Sequence, residues 1–257
     1  MIPGIAGRRA LVTAAGRGIG RAIALTLARE GALVAVFSRT QGEIESLLDA
    51  MGGAAMGHYG RPFDFEKEGA AKTITAELSE KFGAIDIAVH NLGGTLDITD
   101  ALCSVADWRR VWRLNIEIAI ELNLQLVPPM RERQWGRIVH IASTASLENN
   151  GPVPYCTAKA ALAAYTHSFG RVLAADGIVM SAVMPGVVLT DGGHWEKAMR
   201  ERPEHVERYL AERCPSGRFG TPEEIDNMTA FLCSDWASFC QGALIPVDGG
   251  QIRGFAV

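Results

Sequence analysis

The sequence lacks the features that mark secreted, zinc-stapled or membrane proteins. Its five cysteines form no C-x-x-C pair and no spacing suited to zinc, which indicates free thiols in a reducing compartment. No run of about 18 apolar residues occurs, and residues 1–9 contain no apolar segment typical of a signal peptide. We therefore expect a cytoplasmic protein without a membrane segment.

A basic stripe is also missing. The formal net charge is −4 and the charges are scattered, so nucleic acid is not an expected partner. Histidines without metal-ligand spacing stand at His58, His90, His140, His167, His194 and His205. We expect no metal site. The 257 residues, 48% of them hydrophobic, are enough for one core without disulfides.

Short apolar runs alternate with longer helical patterns, which is typical of βαβ units in a parallel sheet. The predicted strands span residues 9–13, 33–37, 85–90, 137–141, 179–184 and 243–247. The predicted helices span residues 21–30, 66–82, 105–131, 154–175 and 222–234. No linker or repeat interrupts the pattern. We expect a single α/β domain over residues 1–257, a doubly wound parallel sheet whose ligands bind at the carboxyl ends of its strands.

Residues 190–215 break this alternation. Gly192-Gly193 opens the segment, and an amphipathic stretch with Trp195 and Tyr209 follows. Because it comes after a strand end, the segment is expected to lie over the ligand crevice as a substrate lid, with Trp195 as a substrate contact. The alternative is a surface excursion without a functional role.

A glycine-rich loop links the first strand to the first helix, between Thr13 and Gly20. Glycines allow a tight turn that brings backbone N–H groups close to a pyrophosphate, and the helix N-terminus adds partial positive charge. This placement makes Gly16-Arg17-Gly18-Ile19-Gly20 a stronger signal than its composition alone. The loop predicts dinucleotide binding.

The end of the second strand distinguishes the two nicotinamide cofactors. A carboxylate there favours NAD, whereas a basic residue accommodates the 2′-phosphate of NADP. This chain has Ser38-Arg39-Thr40 and no acid, and Arg17 is a second candidate for the phosphate. The sequence therefore predicts NADP(H), with a solvated Arg39 as the alternative.

Tyr155 and Lys159 lie four residues apart at the start of a predicted helix, so they share a helical face. A lysine ammonium favours phenolate and lowers the tyrosine pKa, which suits proton transfer near neutral pH. Ser143 follows the preceding strand, where its hydroxyl is placed to polarise a substrate carbonyl. An exposed Tyr–Lys pair is the alternative. For Asn115, which lies in an amphipathic helix, the alternative is a side chain that faces solvent or bonds its own backbone.

Together these features resemble the short-chain dehydrogenase/reductase family over nearly the whole chain. The glycine loop resembles the family's T-G-x-x-x-G-x-G motif, and Asp64 resembles its acidic adenine contact. His90-Asn91-Leu92-Gly93 is similar to the family's N-N-A-G motif, and residues 185–190 are similar to its P-G-x-x-x-T segment. The cofactor contacts that this reading predicts are Thr13, Arg17, Gly18, Ile19, Gly20, Ser38, Arg39, Asp64, Phe65, Asn91, Leu92, Gly93, Tyr155, Lys159, Pro185, Gly186, Val188 and Thr190.

The resemblance implies a catalytic set of Asn115, Ser143, Tyr155 and Lys159. Tyr155 would be the general acid in reduction and the base in oxidation, and with Ser143 it would contact the substrate. Lys159 would bind the nicotinamide ribose and lower the Tyr155 pKa, while Asn115 would hold a water linking Lys159 to solvent. Family members also imply a Rossmann sheet of order 3-2-1-4-5-6-7 and a homotetramer.

The chain departs from the family pattern at several positions. Ala14 replaces the first loop glycine, and His90 and Leu92 replace Asn and Ala, changes that we expect to be tolerated. The spacing from Ser143 to Tyr155 is one residue shorter than usual, which makes Ser146 a rival hydroxyl.

The departures that bear on substrate concern the 3-oxoacyl-acyl-carrier-protein reductases, which dock an acidic carrier through arginines. Gln134 and Asp176 stand at those two positions, although Arg131, Arg133 and Arg171 lie near enough to compensate. Acyl carrier protein therefore stays an expected partner, but the set of arginines that would dock it is incomplete.

The sequence thus predicts an NADP(H)-dependent oxidoreductase that moves a hydride between nicotinamide and a small-molecule ketone or secondary alcohol. A 3-oxoacyl-(acyl-carrier-protein or CoA) reductase is the alternative. From another class, a catalytically silent NADP-sensing regulator is disfavoured because the complete set of catalytic residues is present.

Overall fold

The computed structural model describes residues 1–254, in which seven parallel strands form one sheet. The strands are β1 (Arg9–Thr13), β2 (Leu33–Ser38), β3 (Tyr59–Pro62), β4 (Ile87–His90), β5 (Gly136–Ile141), β6 (Ile178–Pro185) and β7 (Leu244–Val247). Their order is β3-β2-β1-β4-β5-β6-β7, which confirms the predicted topology. The order reverses between β1 and β4, and this is where a doubly wound sheet leaves its ligand crevice.

Helices cover both faces of the sheet. They are α1 (Gly18–Arg29), α2 (Gln41–Ala50), α3 (Ala70–Lys81), α4 (Val105–Trp112), α5 (Ile118–Glu132), α6 (Val153–Leu173), α7 (His194–Glu201), α8 (Pro203–Arg213) and α9 (Pro222–Leu232). On one face, Ile23 of α1 and Ile225 of α9 pack into a shared core. On the other, Ile74 of α3 and Leu122 of α5 do the same. The continuously apolar strands are buried between the two layers, as a parallel sheet requires.

Two elements were not predicted. Strand β3 reads Tyr-Gly-Arg-Pro and lies at the sheet edge, so it needs no apolar run and tolerates a proline. Helix α2 presents only Ile44 and Leu47 to the core, which is too short a stripe for a clear periodic signal.

The helix predicted over residues 105–131 is interrupted. A π-helical turn at Arg113–Glu117 separates α4 from α5 and contains the buried Asn115. Such turns are frequent at functional sites, because the extra residue redirects side chains on the following turns.

A polar network crosses the core beside the sheet. His90 Nε2 lies 2.8 Å from Asn123 Oδ1, and Asn123 Nδ2 lies 3.2 Å from His140 Nε2. The two imidazole rings stack at 5.2 Å, and burial lowers the pKa of His90 to about 4. Burial also lowers the pKa of His140, so both buried rings favour the neutral form, and Asn123 is the hydrogen-bond partner of His90.

The segment at residues 190–215 folds into α7 and α8. Trp195 of α7 packs against Tyr209 at 4.6 Å and against Phe219 at 5.3 Å between ring centroids. This aromatic cluster joins the two short helices to each other and to the loop before α9.

Within residues 1–254, no helix is both long and apolar enough to cross a membrane. The same residues hold no group of three His, Cys, Asp or Glu side chains arranged for a metal ion.

Asp226 of α9 is buried against α1 and only 2% exposed. Burial raises its pKa from 3.8 to about 6, although a hydrogen bond from Thr26 and the charge of Arg29 oppose the change. Its Oδ1 atom has no hydrogen-bond donor within residues 1–254. The ionised carboxylate thus destabilises the α1–α9 interface.

We expect Asp226→Asn to stabilise the protein above pH 6. Since the folded-state pKa lies above the unfolded one, the native state binds the proton more tightly, and its stability falls as pH rises from about 4 to 6. The amide has no charge to bury, so the free energy of unfolding should increase by about 1–3 kcal/mol at pH 8 and change little near pH 4.

Thermal unfolding at both pH values measures this difference. Asp49→Asn, at an exposed position of α2, is the matched control and should give the same change in Tm at both pH values. A pH-independent effect of Asp226→Asn would contradict the assignment.

Candidate active site

The glycine loop has the backbone geometry needed to surround a pyrophosphate. Gly18 has a φ of +55° at the start of α1, and Arg17, the N-cap residue, makes no side-chain capping bond, so first-turn N–H groups remain available. A Cβ on Gly20 would stand 2.4 Å from both the Ala14 carbonyl oxygen and Asn91 Nδ2. Only glycine can occupy this position without a steric clash. The tight turn and the available N–H groups suit the pyrophosphate of a dinucleotide.

Ala14 adopts a left-handed conformation with a φ of +52°. This conformation costs an L-residue with a Cβ about 1–2 kcal/mol, which explains why a glycine is usual at this position. Asn91 Nδ2 donates to the Ala14 carbonyl oxygen at 3.1 Å and holds the turn. The extra Gly16 does not remove this strain.

Thr13 supports the loop from beneath. Its fully buried hydroxyl accepts hydrogen bonds from the backbone N–H groups of Asn91 at 2.9 Å and Leu92 at 3.3 Å. The predicted cofactor residue Thr13 therefore ties the end of β1 to the loop after β4.

A cleft of about 590 Å³ extends from this loop across the carboxyl ends of β1, β2 and β4. The predicted cofactor residues that line it are Arg17, Gly18, Ile19, Ser38, Arg39, Asp64, Phe65, Asn91, Leu92, Gly93 and Thr190. Those outside its lining are Thr13, Gly20, Tyr155, Lys159, Pro185, Gly186 and Val188. The cleft thus brings together most of the predicted contacts from separate parts of the chain.

The end of the cleft beside β2 contains an acid that the sequence analysis missed. Glu43 of α2 lines the cleft, and Ser38 Oγ lies 3.3 Å from Glu43 Oε2. Arg39 Nη1 lies 3.7 Å from Glu66 Oε1, and its side chain is 76% exposed. Arg39 therefore lines the cleft in an exposed ion pair with Glu66, and Glu43 lies beside the preceding residue, Ser38.

Asp64 both lines the cleft and stabilises its own turn. Its Oδ1 accepts from the Glu66 N–H at 3.0 Å, but α3 begins only at Ala70, so Asp64 does not cap a helix.

Arg17 reaches across the cleft to the segment after β6. Its Nη1 donates to the Gly192 carbonyl oxygen at 3.2 Å, and Thr190, Asp191 and Gly193 line the same wall. The glycine loop and the first residues of the predicted lid are thus in direct contact.

Ser143 and Tyr155 meet at the inner side of α6. Burial raises the pKa of the Tyr155 phenol above its usual 10, whereas the neighbouring Ser143 hydroxyl, which accepts from the Ala145 N–H at 3.1 Å, opposes this increase. The rival Ser146 is excluded from the pair, because its buried hydroxyl donates to the Lys159 carbonyl oxygen at 3.0 Å. The shortened spacing therefore still brings Ser143 to the phenol.

Lys159 is 2% exposed, and its Nζ donates to the Ile141 carbonyl oxygen at 2.8 Å. Burial lowers its pKa from 10.5 to about 8. Nζ lies 5.8 Å from the centre of the Tyr155 ring. Burial raises the Tyr155 pKa, and the lowering of this pKa by Lys159 stays a prediction.

Asn115 fixes the loop after β4 from the π-helical turn. Its Oδ1 accepts from the Gly94 N–H at 3.0 Å, and its Nδ2 donates to the carbonyl oxygens of Gly94 at 2.9 Å and Val111 at 2.8 Å. A Cβ on Gly93 would stand 2.8 Å from Lys159 Nζ and 2.9 Å from Asn115 Oδ1. The missing side chain of Gly93 lets the loop, the π-helical turn and α6 converge.

The segment after β6 is fixed on its outer side. The Gln251 side chain accepts from the Val187 N–H at 2.7 Å, and a Cβ on Gly186 would lie 2.3 Å from the same oxygen. Val188 pairs with Gly220 in an isolated parallel bridge. Pro185, Gly186 and Val188 therefore lie in a well-braced turn at the end of β6.

The arginines expected to compensate for carrier docking are mostly engaged. Arg131 Nε lies 2.7 Å from Asp176 Oδ2 in an ion pair. Arg133 bonds the Ile85 carbonyl oxygen at 2.7 Å and pairs with Asp86 at 3.4 Å. This leaves Arg171 exposed, without an ion pair in the described part of the chain.

Comparison with known proteins agrees with this site. The family model described as enoyl-(acyl carrier protein) reductase matches residues 13–251. A 3-oxoacyl-[acyl-carrier-protein] reductase of Aquifex aeolicus is 34% identical over 95% of this chain and 97% of its own length. The chain belongs to the short-chain dehydrogenase/reductase family.

Two further members widen the chemical range. A (2S)-[(R)-hydroxy(phenyl)methyl]succinyl-CoA dehydrogenase subunit of Thauera aromatica is 32% identical over 96% of this chain and 98% of its own length. The structure of L-sorbose reductase from Gluconobacter frateurii, complexed with NADPH and L-sorbose, superimposes with a TM-score of 0.90 at 27% identity, covering 99% of this chain and 100% of the other. This short-chain dehydrogenase/reductase is thus an oxidoreductase that acts on carbonyl or alcohol groups with a nicotinamide cofactor.

We expect Ala14→Gly to be tolerated and to stabilise the protein. Glycine removes the left-handed strain but adds unfolded-state entropy, so the net gain in free energy of unfolding should be up to about 1 kcal/mol. Urea unfolding monitored by circular dichroism measures this change.

Ala15→Gly is the matched control at the next residue. Ala15 is fully buried and its φ is not positive, so this variant should lose about 1 kcal/mol. Equal losses in the two variants would be inconsistent with strain at Ala14.

Proposed function

We propose that this short-chain dehydrogenase/reductase is an NADP(H)-dependent carbonyl reductase and secondary-alcohol dehydrogenase for a small-molecule substrate. The observation that carries the proposal is the Ser143–Tyr155 hydroxyl pair beside the buried Lys159 ammonium. A proton donor, a second hydroxyl and a buried cation suit a carbonyl oxygen that gains negative charge.

The cofactor preference is supported by the end of β2, where Arg39 follows Ser38 and no acid occupies the strand end. The L-sorbose reductase structure contains NADPH, in agreement with this preference. Arg17, Ser38 and Arg39 would hold the adenosine phosphate, and the N–H groups at the start of α1 would hold the pyrophosphate. When bound, the cofactor supplies or accepts the hydride.

The residues of the chain then control the proton. In reduction, the Tyr155 phenol donates its proton to the substrate oxygen, and in oxidation the phenolate removes it. The Ser143 hydroxyl donates a hydrogen bond to the same oxygen and stabilises its developing charge. The nicotinamide ribose would bond Lys159, so the ammonium would remain close to the phenol and favour phenolate. Asn115 holds the loop after β4 in place through Gly94, and this loop passes close to Lys159 Nζ at Gly93.

A 3-oxoacyl thioester reductase is the second candidate, favoured by the printed function of the Aquifex aeolicus relative. The engagement of Arg131 with Asp176 and of Arg133 with Asp86 argues against docking of an acidic carrier protein. A thioester of CoA requires no such docking surface. The silent NADP sensor is disfavoured because all four catalytic residues are present.

Residues 190–215 are proposed as the substrate lid, because Arg17 connects their start to the glycine loop. We also propose a cytoplasmic homotetramer. Exposed large apolar side chains that support self-association are Leu124, Val172, Trp236 and Phe239. Light scattering during size-exclusion chromatography measures the assembly directly.

We expect Tyr155→Phe to lower kcat/KM by about 100- to 10,000-fold, the range that general acid–base catalysis supplies. The measurement is NADPH oxidation by wild type and variant over a panel of free ketones and 3-oxoacyl thioesters. Turnover in the variant at the wild-type rate would overturn the assignment of Tyr155. A higher kcat/KM of wild type for free ketones supports the carbonyl reductase, and a higher value for 3-oxoacyl thioesters supports the second candidate.

We expect Glu43→Gln to lower the KM for NADPH by about threefold to tenfold, because it removes a negative charge next to the 2′-phosphate site while keeping the contact with Ser38. The KM for NADH should change less than about twofold, since NADH lacks that phosphate.

The matched control is Glu45→Gln, which lies at an exposed position of the same helix and outside the cleft lining. If the KM values for NADPH and NADH fell equally in Glu43→Gln, Glu43 would not lie beside the phosphate.

A further inference from the structure

A second cleft lies next to the loop that leads into α6, the helix that carries Tyr155. It has a volume of about 490 Å³ and lies between α8 and the loop before α6, where Asn149, Asn150 and Gly151 form one wall. A Cβ built on Gly151 would stand 3.5 Å from Tyr155 Cδ1. Gly151 therefore connects the wall of this cleft to the ring of the proposed proton donor.

The opposite wall of this cleft carries excess positive charge. Arg208 and Arg213 of α8 line it with His205, whereas Glu212 is the one acid among its lining residues. Within residues 1–254, neither Arg208 nor Arg213 makes an ion pair with an acidic side chain, unlike Arg131, Arg137 and Arg218 elsewhere. Their guanidinium donors are available to a ligand.

The acid that precedes the loop wall is hydrogen-bonded to backbone groups and forms no ion pair with Arg208 or Arg213 within residues 1–254. Glu148, next to the loop, accepts hydrogen bonds from the backbone N–H groups of Arg253 at 2.7 Å and Gly254 at 3.3 Å. Burial raises the pKa of the Tyr209 phenol, which lines the same cleft as Arg213, and the charge of Arg213 partly opposes this increase.

The wall is braced against the turn at the end of β6. Tyr209 OH lies 3.5 Å from Gln251 Nε2, and the Gln251 oxygen accepts from the Val187 N–H at 2.7 Å. Trp195 packs on the Tyr209 ring from the other side. A ligand group held by Arg208 and Arg213 would thus lie at a defined position relative to the substrate carbonyl.

From this arrangement we infer that the substrate is anionic: a ketone or secondary alcohol that carries a carboxylate or phosphate, whose charged oxygens bind Arg208 and Arg213 while its carbonyl faces Tyr155. Guanidinium groups bind both kinds of anion through charge-assisted hydrogen bonds. The inference rests on the proposed function, because it names the substrate class of that same site.

The test compares anionic ketones with neutral partners of the same carbon chain. One pair is 3-oxobutanoate and its methyl ester, and the other is 3-oxobutanoyl-CoA and the N-acetylcysteamine thioester. We expect wild type to prefer the anionic member of at least one pair by about tenfold or more in kcat/KM. A preference for 3-oxobutanoate over its methyl ester indicates a free oxo acid as substrate. A preference for the CoA thioester over the N-acetylcysteamine thioester indicates that the phosphates of CoA are recognised.

The double variant Arg208→Gln, Arg213→Gln should lower this preference by roughly 10- to 100-fold, the range that charge-assisted hydrogen bonds supply. Arg200→Gln is the matched control, an exposed arginine of α7 outside the cleft, and should leave the preference at its wild-type value. The lack of any anionic preference in wild type, or an equal preference in the double variant, would overturn the inference.

Calorimetric titration of the NADP⁺-loaded enzyme separates this result from failure of the proposed function. If neutral ketones are reduced in a Tyr155-dependent way without anionic preference, the function stands and the inference fails. If no ketone is reduced, the proposed function fails. Binding of 3-oxobutanoate to wild type that is lost in the double variant would then still support the anion site at Arg208 and Arg213. If wild type shows no detectable binding of 3-oxobutanoate, the anion site is overturned as well.

Discussion

The buried ammonium of Lys159 is the constraint on which the site depends. A lysine with 2% exposure loses most of its hydration, and the Ile141 carbonyl oxygen, at 2.8 Å, is the partner that compensates for this loss. Its pKa of about 8 records the remaining penalty. Because Ile141 ends β5 and Lys159 lies in α6, this one hydrogen bond fixes the helix that carries Tyr155 against the strand that leads to Ser143.

The same ammonium restricts the neighbouring elements. Gly93 leaves no space for a side chain between Lys159 Nζ and Asn115 Oδ1, so the loop after β4 must pass close to both groups. The π-helical turn then directs the Asn115 amide toward the Gly94 backbone. The side chain of His90 points away from this convergence, into the contacts with Asn123 and His140.

Much of this arrangement could be predicted because it leaves local signals. The glycine loop, the apolar strands and the spacing of Tyr155 and Lys159 are local patterns whose meaning depends little on distant residues. Strand β3 and Glu43 left no such signal. Strand β3 is an edge strand of ordinary polar composition, and Glu43 reaches the cleft only because the fold brings α2 next to Ser38. The π-helical turn likewise depends on the contacts of Asn115 with Gly94, which the linear sequence cannot reveal.

The contact between Arg17 and Gly192 joins two parts of the site that are far apart in the sequence. Arg17 belongs to the glycine loop, and Gly192 lies at the start of the α7–α8 segment, whose first residues line the cleft that would hold the cofactor. The same segment carries Arg208 and Arg213 on the wall of the second cleft. One continuous stretch of chain therefore borders both clefts, so that a bound nucleotide and a bound anionic substrate would contact the same structural element.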